Sequence, residues 1–132
     1  MDRSAEVEQL VVEFMARMKA ADTTGMAELF VPDAATLLVG SEPADWYSGS
    51  DATIAHLVAS LERYGGVPVE LGAPVAWQIG TVAWVADQVT LAFPQALIPI
   101  RFTGVAVQGN GRWRFVQVHL SSGVPDMDLL ES

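Results

Sequence analysis

Two imidazoles and a few aromatic rings are the side chains of this 132-residue chain best suited to chemistry. His119 lies near the end of an apolar segment, Arg112 to Ser121, and is the candidate catalytic residue. An imidazole desolvated in an apolar pocket stays neutral and can accept a proton near pH 7. Trp84 and Phe102 are candidate walls of an apolar ligand site, and Trp46 with Tyr47 its candidate lid. Plainer roles stay open for each: a structural histidine, a core tryptophan, a loop anchored by two rings. His56 reads as solvated, opposite the stripe of Ile54, Leu57 and Leu61. Asp87 sits on the strand face away from Trp84 and is placed to pair with Arg101 or Arg114, while Asp45 and Asp51 flank the Trp46–Tyr47 segment. Helix capping is enough to explain Asp51. With no cysteine, thiolate nucleophiles, disulfides and zinc–thiolate sites are excluded. Two isolated histidines without carboxylates at ligand spacing give no metal site, and no cofactor is implied.

The elements that must position these residues divide into helices first and strands after. Val7, Leu10, Val11, Phe14, Met15 and Met18 recur at helical spacing and predict a helix from about Arg3 to Ala20. Thr23 or Thr24 can cap a short second helix that ends at Pro32-Asp33. Ala35 to Val39 reads as a short strand and Gly40 to Gly49 as a loop. Ser50 or Asp51 caps a third helix with Ile54, Leu57, Val58 and Leu61 buried, stopped by Gly65-Gly66. Strands follow at Val67 to Leu71, Pro74 to Ile79, Thr81 to Phe93, Leu97 to Gln108 and Arg112 to Ser121. This segregated order predicts an α+β fold.

The turn at Gly109-Asn110-Gly111 sets the register of the last hairpin. A two-residue Asn110-Gly111 turn brings Phe102 opposite His119 and makes the histidine a pocket base. A three-residue loop slips the register by one, joins Val118 and Leu120 to Phe102, and turns His119 outward. The first is favoured, since Asn-Gly suits the two-residue turn. Trp84 is assigned to the face of Val82, Phe102 and Ala106. Both sheet faces are apolar, where a sheet with one wet face alternates apolar with polar. Helices can cover one; a second copy of the chain, burying Val85, Val105 or Val107, is the simplest cover for the other.

Composition narrows the partners. Seven basic against sixteen acidic residues give a net charge of −9, which disfavours nucleic acid. No apolar run reaches membrane-spanning length, and the acidic amphipathic start does not resemble a signal peptide, so a cytoplasmic location is expected. A hydrophobic content of 51% and a mean hydropathy of +0.30 imply an interface or a ligand cavity beyond the core. Residues 1–125 read as one domain and residues 126–132 as an acidic, loose tail.

Three stretches carry a family likeness: Gly40-Ser41-Glu42-Pro43-Ala44-Asp45-Trp46-Tyr47-Ser48-Gly49, Thr81-Val82-Ala83-Trp84-Val85-Ala86-Asp87, and Gly111-Arg112-Trp113-Arg114-Phe115-Val116-Gln117-Val118-His119-Leu120-Ser121. With the helical first half, they resemble the nuclear transport factor 2-like superfamily and, within it, the SnoaL-like domains. The last stretch also resembles the end of the association domain of calcium/calmodulin-dependent kinase II. The resemblance implies a cone-shaped, cystatin-like α+β fold: three N-terminal helices packed on a curved antiparallel sheet, with a cavity at the wide end. It implies binding of a small hydrophobic molecule, or cofactor-free isomerase, cyclase or dehydratase chemistry on a hydrophobic carbonyl compound. The ketosteroid isomerase trio of carboxylate base, tyrosine and protonated aspartate has no match by motif here, and Tyr47 and Tyr64 are the only tyrosines. A non-enzymatic dimeric association or ligand-sensing module is the alternative. A titratable group in the cavity marks an enzyme; a cavity filled by the chain's own side chains marks a module.

Overall fold

The computed structural model describes residues 1–131. The chain opens with a two-residue strand, β1 (Asp2–Arg3), so the first helix starts later than its periodicity predicts. Ser4 ends the strand and caps α1 (Ala5–Ala20), its hydroxyl accepting the Val7 amide at 3.3 Å. Asp22, rather than Thr23 or Thr24, caps α2 (Thr23–Ala27), its carboxylate accepting the Gly25 amide at 2.9 Å. β2 (Leu37–Val39) follows, and β3 (Trp46–Ser48) lies inside the expected loop. At the start of α3 (Ser50–Tyr64), Gly49 takes the N-cap position at φ 95° without a side-chain bond, and Ser50 and Asp51 both fall inside the helix. That end is fastened by backbone instead: Gly49 donates to the Thr36 carbonyl at 2.7 Å and Ser50 to that of Asp33 at 3.0 Å.

The second half supplies β4 (Val69–Glu70), β5 (Val75–Ile79), β6 (Val82–Phe93), β7 (Ala96–Gly109) and β8 (Arg112–Ser121), then α4 (Asp126–Glu131). The expected loose tail therefore holds a short helix with no buried residue, and Ser132 lies outside the described residues. The strands form one curved, unclosed sheet in the order β1-β5-β6-β7-β8-β2-β3, with β4 paired to β6. Its pairs are antiparallel except β2 with β8, which run parallel.

α1, α2 and α3 lie on one face of this sheet, and the core forms between them. Phe14 of α1 meets Phe30, Phe102 and Phe115 at ring-centroid distances of 5.5 to 6.2 Å. All four rings are buried, with Met26, Ala76, Ala83 and Ala106 closing the space around them. Such packing fills an interior to organic-crystal density.

The last hairpin turns through two residues, as Asn-Gly chemistry predicts: Gly109 pairs with Arg112, while Asn110 and Gly111 take φ 54° and 74°. The register does not persist. A shift at Val105/Ala106 adds one residue to β8, so Ala106 faces Phe115 but Val105 faces Gln117. Beyond it Phe102 opposes Leu120 and Thr103 opposes His119. The favoured pairing of Phe102 with His119 is thus corrected by a β-bulge at Val116. The reason is packing: Trp113 and Phe115 point inward at odd positions, Val118 at an even one, and an extra residue lets one strand bury all three.

Faces are corrected too. Phe102 and Ala106 belong to the inner face with Ala83, Val85 and Val89, all buried. Trp84 is 38% exposed on the outer face with Val82, paired to Trp77 on one side and Val105 on the other. Val85 is buried under the helices and is not available to a partner, whereas Val105 and Val107 face outward, half-buried.

Candidate functional site

Helix α3 crosses the sheet so that Thr53, Leu57 and Leu61 face inward, with Ile54 and Val58 half-buried on one flank. On the other flank stand His56, Ser60 and Arg63, spaced i, i+4, i+7 and so aligned along one edge of the helix. That edge borders a pocket of about 490 Å³. Met18, Leu38, Leu57, Val67 and Leu120 make its apolar wall, and Asp45, His56, Ser60 and Arg63 its polar rim. The volume lies in the range that takes small organic molecules.

The rim is set by a tight loop. Gly40 donates to the Asp45 carbonyl at 2.8 Å, and Asp45 donates to that of Glu42 at 3.0 Å. A Cβ on Gly40 would stand 2.6 Å from Asp45 Oδ2, so only glycine leaves this carboxylate its place. Asp45 Oδ2 accepts the Glu42 amide at 3.2 Å, and its Oδ1 accepts the Tyr47 hydroxyl at 3.3 Å. β3 then pairs Tyr47 with Leu38, which turns the phenol toward α3. There Tyr47 stacks on His56, ring centroids 4.3 Å apart at 18°, and His56 Nε2 lies 3.8 Å from Asp45 Oδ1. Partial burial raises the Tyr47 pKa; the neighbouring Asp45 charge, and its role as acceptor of the phenol's bond, push the same way. Tyr47 therefore remains a neutral donor at working pH.

The residues singled out from sequence are dispersed. Tyr47 stands behind the pocket rim, in contact with the rim residues Asp45 and His56. Trp46, the adjacent residue on edge strand β3, is 73% exposed on the opposite side. Phe102 is fully buried among phenylalanine rings. Trp84 stands on the outer face, where a shallower hollow of about 380 Å³ runs past Val75, Trp77 and Val105. His119, half-buried, sits on that same outer face between Val39 and Thr103, and its neighbour Leu120 lines the α3 pocket instead. Asp87 takes neither Arg101 nor Arg114: it is buried and accepts the amides of Gly72 and Ala73 at 3.3 and 2.8 Å. His56 and Asp45 are the functional candidates that sequence reasoning passed over. The i, i+4, i+7 spacing of His56, Ser60 and Arg63 was the signal available for His56.

Residues 7–127 match the family model of the SnoaL-like domain. The chain belongs to the SnoaL-like domain family. As a SnoaL-like domain it shares its fold with several solved structures. One is a nuclear transport factor 2-like protein of unknown function from Pseudomonas putida KT2440: 18% identity, 94% of this chain and 92% of that one covered, TM-score 0.81. A cystatin-like-fold protein from Caulobacter vibrioides has 21% identity, 96% and 93% coverage, and TM-score 0.77. A protein from Novosphingobium aromaticivorans provisionally assigned as a scytalone dehydratase has 15% identity, 90% and 83% coverage, and TM-score 0.71. A provisionally assigned calcium/calmodulin-dependent kinase II association domain from Thiobacillus denitrificans is also similar, at 19% identity, 89% and 94% coverage, and TM-score 0.72. No curated protein matches the chain in sequence. At these identities the likeness shows the fold alone. Among the described residues, no helix is long and apolar enough to cross a membrane.

Proposed function

We propose that this SnoaL-like domain binds a small hydrophobic carbonyl compound in the α3 pocket and moves a proton on it without a cofactor. One observation carries the reading: a mutually contacting Asp45–Tyr47–His56 group stands at the rim of an apolar-walled pocket of about 490 Å³. His56 takes a proton from a carbon beside the carbonyl and returns it to the same compound. Asp45 stabilises the imidazolium formed in between, and Tyr47 holds both partners in place by stacking and hydrogen bonding. Dehydration and isomerisation both begin with such a step, and the structural neighbour provisionally assigned as a dehydratase supports that reaction class.

The test uses 2-tetralone in D2O. Exchange of its α-hydrogens should exceed the buffer rate, fall by about a hundredfold in His56→Gln, and be unchanged in His119→Gln. Exchange at the buffer rate, or equal rates in wild type and His56→Gln, overturns the catalytic reading.

A second reading concerns assembly and rests on the outer sheet face. Val75, Trp77, Ile79, Val82 and Trp84 are all exposed there, beside Val105 and Val107. The accessible surface of 7766 Å² also exceeds the roughly 6,700 Å² expected of a compact monomer of this mass. A homodimer formed through this face accounts for both features. It is compatible with catalysis, because the α3 pocket opens on the opposite side of the sheet.

A further inference from the structure

The α3 pocket is polar at two separate ends. At one end the acidic loop brings Glu42 and Asp45 to His56; at the other, Arg63 and Ser60 border the cavity. His56 and Arg63 are seven residues apart on one helix edge, about 10 Å along the axis. Cations are scarce in this chain, and two of them are paired: Arg3 binds Glu8 and Arg17 lies by Glu28. Arg63 differs. Its guanidinium sits 5.4 Å over the Tyr64 ring, and among the described residues no carboxylate pairs with it. A stacked guanidinium is held in place with its donors free. Ser60, one turn back, adds a hydroxyl on the same edge.

Building on the proposed function, we infer that the ligand is an amphiphilic anion: a carboxylate held by Arg63 and Ser60, an apolar body against Leu57, Val67 and Leu120, and its reacting carbon at His56. The acidic loop opposes an anion at its own end, and this fixes the ligand's direction. A carboxylate placed near Glu42 and Asp45 is repelled, whereas the same group at Arg63 is about 10 Å away, close to one Debye length in physiological salt. The negative end of the α3 dipole offsets part of the arginine's charge, so the preference is modest rather than absolute.

Three probes of one skeleton test it: 2-naphthylacetate, 2-naphthylacetamide and 2-(2-naphthyl)ethylamine, followed by the methyl signals of Leu57, Val67 and Leu120. The acid should bind about five- to tenfold tighter than the amide, and the amine weakest. Arg63→Gln, a change at an exposed residue in the last helical turn, should erase the preference for the acid, bringing acid and amide to similar affinity. Equal binding of acid and amide, a preference for the amine, or an Arg63→Gln protein that still prefers the acid overturns the anion inference and leaves the pocket reading standing. If none of the three probes moves those methyls, the pocket reading falls and the inference with it.

Discussion

The α3 pocket and the outer sheet face are both apolar, and they differ in what interrupts the apolar surface. In the pocket the interruptions are titratable and touch one another: Asp45, Tyr47 and His56. On the outer face they are spread out. His119 has Thr103 and Val39 as strand neighbours, and Trp77 and Trp84 are register partners on paired strands. A concave site with convergent polar groups suits a small molecule, while a broad two-tryptophan surface suits a second protein surface. The apolar surface beyond the core is thus divided between a pocket beside α3 and an exposed outer sheet face.

The largest expected effect separates two rings that the sequence places side by side. Phe102→Ala, which empties the fully buried aromatic cluster, should cost about 3–5 kcal/mol in denaturant unfolding. Trp84→Ala, at a partly exposed position, should cost about 1 kcal/mol or less in the monomer yet weaken association. Similar losses in both variants would place the two residues in one environment and break the contrast between the faces.

Val105→Asp sharpens the same contrast from the outer side. It buries a charge in the proposed dimer but leaves the inner face untouched, so sedimentation equilibrium should show association weakened by about a hundredfold or more. Ligand-induced shifts of the Leu57 and Leu120 methyls should persist. A wild-type protein that sediments at 14.1 kDa at micromolar concentration removes the interface.

The two histidines provide a finer probe. In an NMR titration with His56→Gln for assignment, the His56 signals should move on adding 2-tetralone. Those of His119 should stay fixed, because it lies across the sheet. A responsive His119 with a silent His56 would relocate the site to the outer face.

The smallest effect concerns how the N-terminal strand is tied to the sheet. The Ala76 amide donates to Glu8 at 3.0 Å and Arg3 binds the same carboxylate, which together hold its pKa below the ordinary value of 4.5. A depressed folded-state pKa contributes stability above pH 4.5 that is lost as pH falls through the folded value. Wild type should therefore lose slightly more stability than Glu8→Gln between pH 5 and pH 3, by about 0.5 kcal/mol, in parallel urea melts. Identical pH profiles would show that the carboxylate does not matter there.

Much of the fold is legible because its signals are local. The stripe from Val7 to Met18 yields α1, and Asn110-Gly111 yields a two-residue turn because both positions accept positive φ. The likeness across the Trp46, Trp84 and Trp113 stretches leads to the SnoaL-like fold, which the family match to residues 7–127 establishes. The site is less legible because its parts come from different elements. Asp45 and Tyr47 arrive on the loop and short strand before α3, and His56 on α3 itself. By sequence His56 opposes the stripe of Ile54, Leu57 and Leu61; in the structure Thr53 takes the inward position and Ile54 packs on the core from one flank.

The sequence by itself determined the order of helices and strands, the hairpin turn and the surplus of apolar surface, since each follows from backbone preference or periodicity within a few residues. Tertiary structure alone decided which face each strand residue takes beyond Val116. Trp113 and Phe115 on one parity and Val118 and Leu120 on the other cannot all reach the inner side of a regular strand, whose side chains alternate strictly. Burying the large rings beside Phe14 forces the extra residue into β8. That single insertion carries His119 to the outer face and Leu120 to the pocket.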